Sequence, residues 1–251
     1  MIDYTDLMSK AEILRNEFGE DNRSPVDIFA IAQNIKNLSL VFYPFNNNIS
    51  GMCIKRKNGN NLIAVNSTMT LGRQRFTLAH EFYHLYFENN ELSLCSKTIG
   101  NGNENERKAD SFALYFLMPR TAFVQKVEKY IKDNNRKLSI EDIVRLEQYF
   151  GISHQAMVYQ LVDCHFIDKK EVDKLLNKGV KNIASSIGFD TKLYEKLPVD
   201  KQYATYGYYI DLTNKIYKNN LISDGKYEEL LLEGFRDDLV YGTTESGEII
   251  D

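Results

Sequence analysis

Two histidines and a glutamate in the middle of the chain have the spacing of a metal site. His80 and His84 lie four positions apart in a mostly apolar stretch without Gly or Pro, which predicts a helix. Residues at this spacing share one face of a helix, so two imidazoles can bind one metal ion. Glu81 projects about 100° around the same helix, where it can reach a water on that metal but is poorly placed as a ligand. The motif therefore predicts a metal-activated water with a carboxylate beside it.

A second acidic pair is predicted to complete this site. Glu106 and Asp110 also lie four positions apart, on a predicted helix that runs to residue 117. Glu106 is the best candidate for the third ligand, and Asp110 is expected to accept a hydrogen bond from a ligating imidazole. Three protein ligands leave one coordination position for water or substrate, whereas structural sites usually have four protein ligands and are rich in Cys. We therefore prefer a catalytic metal site to a buried helix with incidental polar groups.

The chain resembles the ImmA/IrrE family of metallopeptidases over residues 24–165. The resemblance rests on four stretches, which are Ile63-Ala64-Val65-Asn66, Arg75-Phe76-Thr77-Leu78-Ala79-His80-Glu81, Glu106-Arg107-Lys108-Ala109-Asp110-Ser111-Phe112-Ala113 and Leu117-Met118-Pro119. It implies a zincin-like fold, a metal held by His80, His84 and Glu106, and Glu81 as the catalytic carboxylate. Members of the family are typically bacterial, are often encoded on mobile genetic elements and cleave helix-turn-helix repressors.

The expected function is that of a zinc-dependent endopeptidase, with Mn²⁺ as the alternative metal. Its expected partner is a protein substrate, a helix-turn-helix repressor of phage or mobile-element type, whose cleavage relieves repression. The alternative is a non-catalytic, antitoxin-like or repressor-binding module with a structural metal site. Glu81 argues against this alternative, because a structural site has no use for that carboxylate.

Three further residues are candidates for contacts with the substrate or the transition state. Tyr83 stands where the family usually has Gly before the second His, so its ring would narrow the cleft or supply a hydroxyl. Arg75 would orient a substrate or a carboxylate, although a surface ion pair is the commoner role for such a residue. Asn66 ends the predicted strand 62–66, to which an extended peptide would add through main-chain hydrogen bonds if the strand lies at a sheet edge. An internal strand is the equally weighted alternative.

The elements around the site predict an α+β, zincin-like fold that is mostly helical. Strands at 38–43, 49–55 and 62–66 are predicted to form a small three-stranded sheet before the metal-binding helix, with Asn58-Gly59 as a hairpin signal. The polar connection 88–105 is expected to be a surface loop or a lid. A metallopeptidase domain is predicted for residues 1–166, including a helical subdomain at 120–166. Residues 167–251 are predicted to form a helical C-terminal extension, with the Tyr-rich stretch 200–220 as one of its helices.

Composition narrows the class of protein further. A net charge of −4 and a pI near 5.7 provide no basic surface for nucleic acid, so direct binding to DNA or RNA is not expected. No apolar run is long enough for a signal peptide or a membrane span, so we expect a cytoplasmic protein without a membrane partner. Cys53, Cys95 and Cys164 are far apart, with no Cys-x-x-Cys pair to bind a metal, and are predicted to be reduced and buried.

Overall fold

The computed structural model describes residues 2–46, 48–57, 59–96, 103–134 and 137–242, and it confirms the predicted α+β class. The α-helices are α1 (Tyr4–Glu17), α2 (Ile28–Asn34), α3 (Leu71–Phe87), α4 (Glu104–Leu117), α5 (Arg120–Asn134), α6 (Ile140–Phe150), α7 (His154–Asp163), α8 (Val172–Leu176), α9 (Val180–Ser186), α10 (Tyr208–Lys218), α11 (Asp224–Glu233) and α12 (Asp237–Tyr241). The strands are β1 (Leu38–Tyr43), β2 (Ile49–Ile54), β3 (Asn61–Asn66), β4 (Leu92–Ser96) and β5 (Ala204–Gly207). No helix within the described ranges has the length and apolar character needed to cross a membrane.

The strands form one mixed sheet in the order β4-β2-β3-β1-β5. β1 is parallel to β3 and antiparallel to β5, whereas β2 is antiparallel to both β3 and β4. The antiparallel pairing of β2 with β3 agrees with the predicted hairpin, although Asn58 of its turn lies outside the described residues.

The described part of the sheet has two strands more than the three predicted from sequence. β4 lies in the polar connection for which the sequence predicts a loop or a lid, and β5 lies in the Tyr-rich stretch predicted to be helical. Both strands are short, and each pairs with a strand that is distant in sequence. Their conformation therefore depends on long-range pairing that local propensity does not reveal.

The position of β3 rules out one predicted mode of substrate binding. β3 is internal, because Ile63 pairs with Leu40 of β1 on one side and with Cys53 of β2 on the other. Its main-chain groups are therefore used within the sheet, and the hypothesis that a peptide adds to residues 62–66 is wrong. On the side of β3 where β2 lies, the edge strand of the sheet is β4.

Helix α3 is held near its beginning by backbone from two other parts of the fold. Gly72 allows the turn between α6 and α7 to lie directly against the helix, because a Cβ at this position would come within 2.9 Å of the Ser153 nitrogen. Arg75, one turn further along, donates hydrogen bonds to the carbonyl oxygens of Gly151 at 2.8 Å and Val26 at 2.6 Å. These contacts fix the helix that carries His80.

Helix α4 packs against both α3 and α1. An aromatic cluster joins the three helices, with ring centroids 5.7 Å apart for Phe82 and Phe116 and 5.8 Å apart for Phe18 and Phe82. The guanidinium of Arg15 on α1 is fully buried and donates hydrogen bonds to backbone carbonyl groups, among them that of Phe116. This packing places Glu106, at the beginning of α4, beside the histidines of α3.

A buried hydrogen-bond network attaches the C-terminal region to α6 and α7. Glu147 of α6 is fully buried, and its carboxylate oxygens lie 2.6 Å from His154 Nδ1 and 2.8 Å from the Tyr194 hydroxyl. His154 Nε2 lies 2.9 Å from the carbonyl oxygen of Leu175. The region after residue 166 therefore contributes a strand and a half-buried tyrosine to the fold, and the domain division at that residue remains a prediction.

We expect the contact between His154 and Glu147 to make stability depend on pH. Burial lowers the pKa of His154, but the hydrogen bond that its ring donates to Glu147 and the negative charge of that carboxylate outweigh burial and raise the pKa above its ordinary value. The resulting stabilisation is fully present below the unfolded-state pKa of about 6.5 and is lost as pH rises through the folded-state pKa. The free energy of unfolding of the wild type should therefore fall with pH relative to that of His154→Gln. Parallel profiles from urea denaturation would contradict this assignment.

Candidate metal centre

Four side chains bring potential metal ligands together at one point. The donor atoms of His80, His84, Cys95 and Glu106 all lie within 4.8 Å of one another. α3 supplies both histidines, α4 supplies the glutamate and β4 supplies the cysteine. The Nε2 atoms of His80 and His84 are 3.0 Å apart, and the two carboxylate oxygens of Glu106 lie 3.4 and 3.5 Å from them. The three side chains predicted as ligands are thus adjacent, and a fourth donor joins them.

The hydrogen bonds of the two imidazoles direct both Nε2 lone pairs into the centre. His80 Nδ1 lies 2.9 Å from Asp110 Oδ1, and His84 Nδ1 lies 2.9 Å from Glu88 Oε2. Because an ionised carboxylate only accepts hydrogen bonds, each Nδ1 carries a proton and the lone pair of the neutral ring is on Nε2. Two lone pairs 3.0 Å apart repel each other unless a proton or a metal cation lies between them. The arrangement therefore fits a bound cation, with both rings oriented by carboxylates.

The pKa shifts of His80, His84 and Glu106 also indicate that the centre favours a positive charge. Burial lowers the pKa of His80, but hydrogen bonds with Asp110, Cys95 and Glu106 outweigh it and raise that pKa well above its ordinary value. Burial and the charge of His80 together lower the pKa of His84. Burial raises the pKa of Glu106, but the hydrogen bond and charge of His80 outweigh burial, so the carboxylate favours its ionised form. A divalent cation would satisfy the same donors.

Glu81 is completely buried beside the centre and has an unusual environment. Neither of its carboxylate oxygens has a hydrogen-bond donor of good geometry among the described residues, although the Cys95 thiol is close enough to influence its charge. Burial raises the pKa of Glu81 to about 7. A buried carboxylate without a partner is costly, and one with a pKa near neutrality is well matched to taking up and releasing a proton.

Cys95 and Glu88 are the two residues of the centre that the sequence interpretation misses. Glu88 lies four positions after His84, so the same helical spacing that identified Asp110 indicates its role. No comparable spacing identifies Cys95, because β4 reaches the centre through strand pairing. The prediction of reduced, buried cysteines is confirmed for Cys53 and Cys95, whereas Cys164 is half-buried.

Tyr83 does not face the metal centre. Its side chain is buried in the hydrophobic core, with ring centroids 5.8 Å from Phe87 and 5.6 Å from Phe112. The expectation that Tyr83 narrows the cleft or supplies a hydroxyl to the transition state is wrong for this conformation. A helix places adjacent residues about 100° apart, so the neighbour of a ligand faces elsewhere.

Arg75 and Asn66 are also occupied within the fold. Arg75 binds the two backbone carbonyl groups that anchor α3, as described above. Asn66 is fully buried, and its amide nitrogen donates to the carbonyl oxygen of Ile49 at 2.7 Å while its amide oxygen accepts from the Thr68 nitrogen at 3.0 Å. Both residues therefore hold loops in place, and their assignment as substrate contacts is not supported.

A comparison with known families agrees with this geometry. Residues 27–162, more than half of the 251-residue chain, match the IrrE N-terminal-like domain of peptidase family M78. No curated protein is similar enough to the chain to count as a match. The matched segment includes α3, β4 and α4, and thus every side chain of the metal centre. The chain therefore belongs to the IrrE N-terminal-like, or ImmA/IrrE, family of peptidases.

Proposed function

We propose that the protein is a zinc-dependent endopeptidase that cleaves a helix-turn-helix repressor and so relieves repression. The observation that carries this proposal is the unpaired, buried carboxylate of Glu81 beside the two facing Nε2 atoms of His80 and His84. Membership of a peptidase family supports the reaction class. The choice of a repressor as substrate rests on the resemblance of the sequence to ImmA/IrrE peptidases.

In this proposal His80, His84 and Glu106 hold the metal, with Asp110 and Glu88 orienting the imidazoles. A bound Zn²⁺, or Mn²⁺, would polarise the peptide carbonyl and lower the pKa of a coordinated water to about 7. Glu81 takes a proton from the attacking water on a carboxylate oxygen and then delivers it to the leaving amine. Burial raises the pKa of Glu81 to about 7, and a raised pKa favours uptake of this proton by the carboxylate.

The proposal is tested by incubating the zinc-loaded protein with a helix-turn-helix repressor of the proposed class. We expect two repressor fragments whose masses add up to that of the intact chain plus one water. A chelator should abolish their formation, and added Zn²⁺ should restore it. An intact repressor after prolonged incubation with the metal-loaded protein would refute the peptidase assignment for this substrate.

One observation favours a second function. A structural metal site has four protein ligands and no open position, and Cys95 supplies a fourth donor to this centre. The second candidate is therefore a repressor-binding module in which the metal only stabilises the fold. In that case the repressor would form a stable complex with the protein, detectable by size-exclusion chromatography, and would not be cut.

A further inference from the structure

Apart from Glu106, whose side chain is 18% exposed, the side chains of the metal centre are almost completely buried in the described conformation. Exposed fractions are 6% for His80, 3% for His84, 0% for Glu81 and 2% for Cys95. An extended peptide cannot reach Glu81 through such a surface. If the centre hydrolyses peptides, one of the elements around it must move.

β4 is the element with the weakest attachment. Within the described ranges it is an edge strand that pairs with β2 alone, and the register of this pairing shifts next to Cys95, between Ile49 and Gly51. The Cys95 carbonyl accepts a hydrogen bond from the Ser50 hydroxyl at 3.2 Å at this irregularity. Leu92 and Leu94 are 54% and 56% exposed. More than half of the surface of these two apolar side chains is therefore already exposed, so movement of β4 would expose little more of them.

Cys95 is the point at which β4 is attached to the centre. It is the one buried side chain among those of β4 that the structure describes, residues 92–95. The other donors belong to α3 and α4, whose packing is extensive, so they cannot withdraw without disturbing the core. Of the four donors, the thiol is therefore the one that can leave.

We propose that Cys95 is an intramolecular fourth ligand that keeps the peptidase latent, and that withdrawal of β4 with its thiolate opens the centre to substrate. This inference rests on the proposed function, since only a catalytic centre has a latent state. Loss of the Cys95 ligand restores the arrangement of three protein ligands and exposes Glu81. The same movement frees the edge of β2 beside the centre.

The first test concerns metal binding alone and does not require activity. The protein is loaded with Co²⁺, because a thiolate ligand to cobalt gives intense charge-transfer absorption in the near ultraviolet. We expect this absorption in the wild type, its loss in Cys95→Ser and its retention in Cys53→Ser and Cys164→Ser. Its absence from wild-type protein that binds one equivalent of Co²⁺ would overturn the assignment, whether or not the variants fold.

The second test concerns latency. Minor conformations of proteins are commonly populated at about 0.1–10%, so a permanently open centre should cleave the repressor about 10- to 1000-fold faster than the wild type. We expect this increase in zinc-loaded Cys95→Ala and wild-type rates in Cys164→Ser. Cys95→Ala that folds, binds zinc and is no faster than the wild type would overturn latency.

The two tests together separate this inference from the proposed function. Cleavage without the cobalt–thiolate absorption would leave the peptidase proposal intact and refute the role of Cys95. Absorption without cleavage by the wild type or by Cys95→Ala would refute both the peptidase and the latent state, and it would identify a four-ligand structural site.

Discussion

Glu81→Gln is expected to bind metal with the wild-type stoichiometry and to cleave the repressor about 10²- to 10⁴-fold more slowly. Glutamine has nearly the same shape as glutamate, so the packing against β2 should survive. It cannot take a proton from water at neutral pH, and proton transfer is the role assigned to this side chain. Single-turnover cleavage rates and metal content measured on the same preparation test both parts of the expectation.

The appropriate control makes the same chemical change at an exposed site. Glu104, two residues before the proposed ligand Glu106, forms an exposed ion pair with Lys108 at 2.9 Å. Exposed pairs of this kind contribute little, so Glu104→Gln should retain wild-type cleavage and metal binding. Undiminished cleavage by Glu81→Gln would remove the general base from the mechanism, and loss of metal from that variant would point to a role in assembling the site.

Gly51→Ala is expected to impair both stability and activity, because β2 passes directly under Glu81. A Cβ at residue 51 would lie 2.5 Å from Thr77 Cγ2 and 2.6 Å from Glu81 Oε1. Overpacking of this kind typically costs about 1–3 kcal/mol of stability. It would also displace the carboxylate, and a shift of about 1 Å in a catalytic group can cost about 10²-fold in rate. Urea denaturation and cleavage assays would measure the two effects.

Gly225 provides the matched control for this substitution. It lies in α11, and no atom lies within 4 Å of a Cβ built there. Gly225→Ala should therefore stabilise the protein by about 0.5–1 kcal/mol, since alanine loses less conformational freedom in a helix. If Gly51→Ala behaved like Gly225→Ala, the close contact of β2 with Glu81 would be disproved.

Those parts of the centre that depend on helical spacing could be predicted from the sequence. His80, His84 and Glu81 belong to one helix, and Glu106 and Asp110 to another, so their relative directions follow from helix geometry. In the structure, Asp110 Oδ1 lies within hydrogen-bond distance of His80 Nδ1, as that geometry suggests. The catalytic and ligand roles of these residues remain predictions to be tested by the variants above.

The parts that depend on pairing between distant segments could not be predicted. Cys95 reaches the centre because β4 pairs with β2, and nothing in residues 92–96 specifies that partner. β3 is internal because β1 pairs with it in parallel. The residue types at 62–66 do not reveal this pairing. Tyr83 precedes His84 in the sequence, but the helix directs its ring into the hydrophobic core.

The short strand β5 has a consequence for work on shortened forms of the protein. It pairs with β1 from Ser39 to Phe42, and Tyr206 packs on the Phe42 ring at 6.0 Å. A polypeptide ending at residue 166 would lack β5, so β1 would become an unpaired edge strand of the sheet. An unpaired, hydrophobic strand edge can pair with further copies of the same chain, so such a fragment should self-associate and lose solubility even though it retains every side chain of the centre.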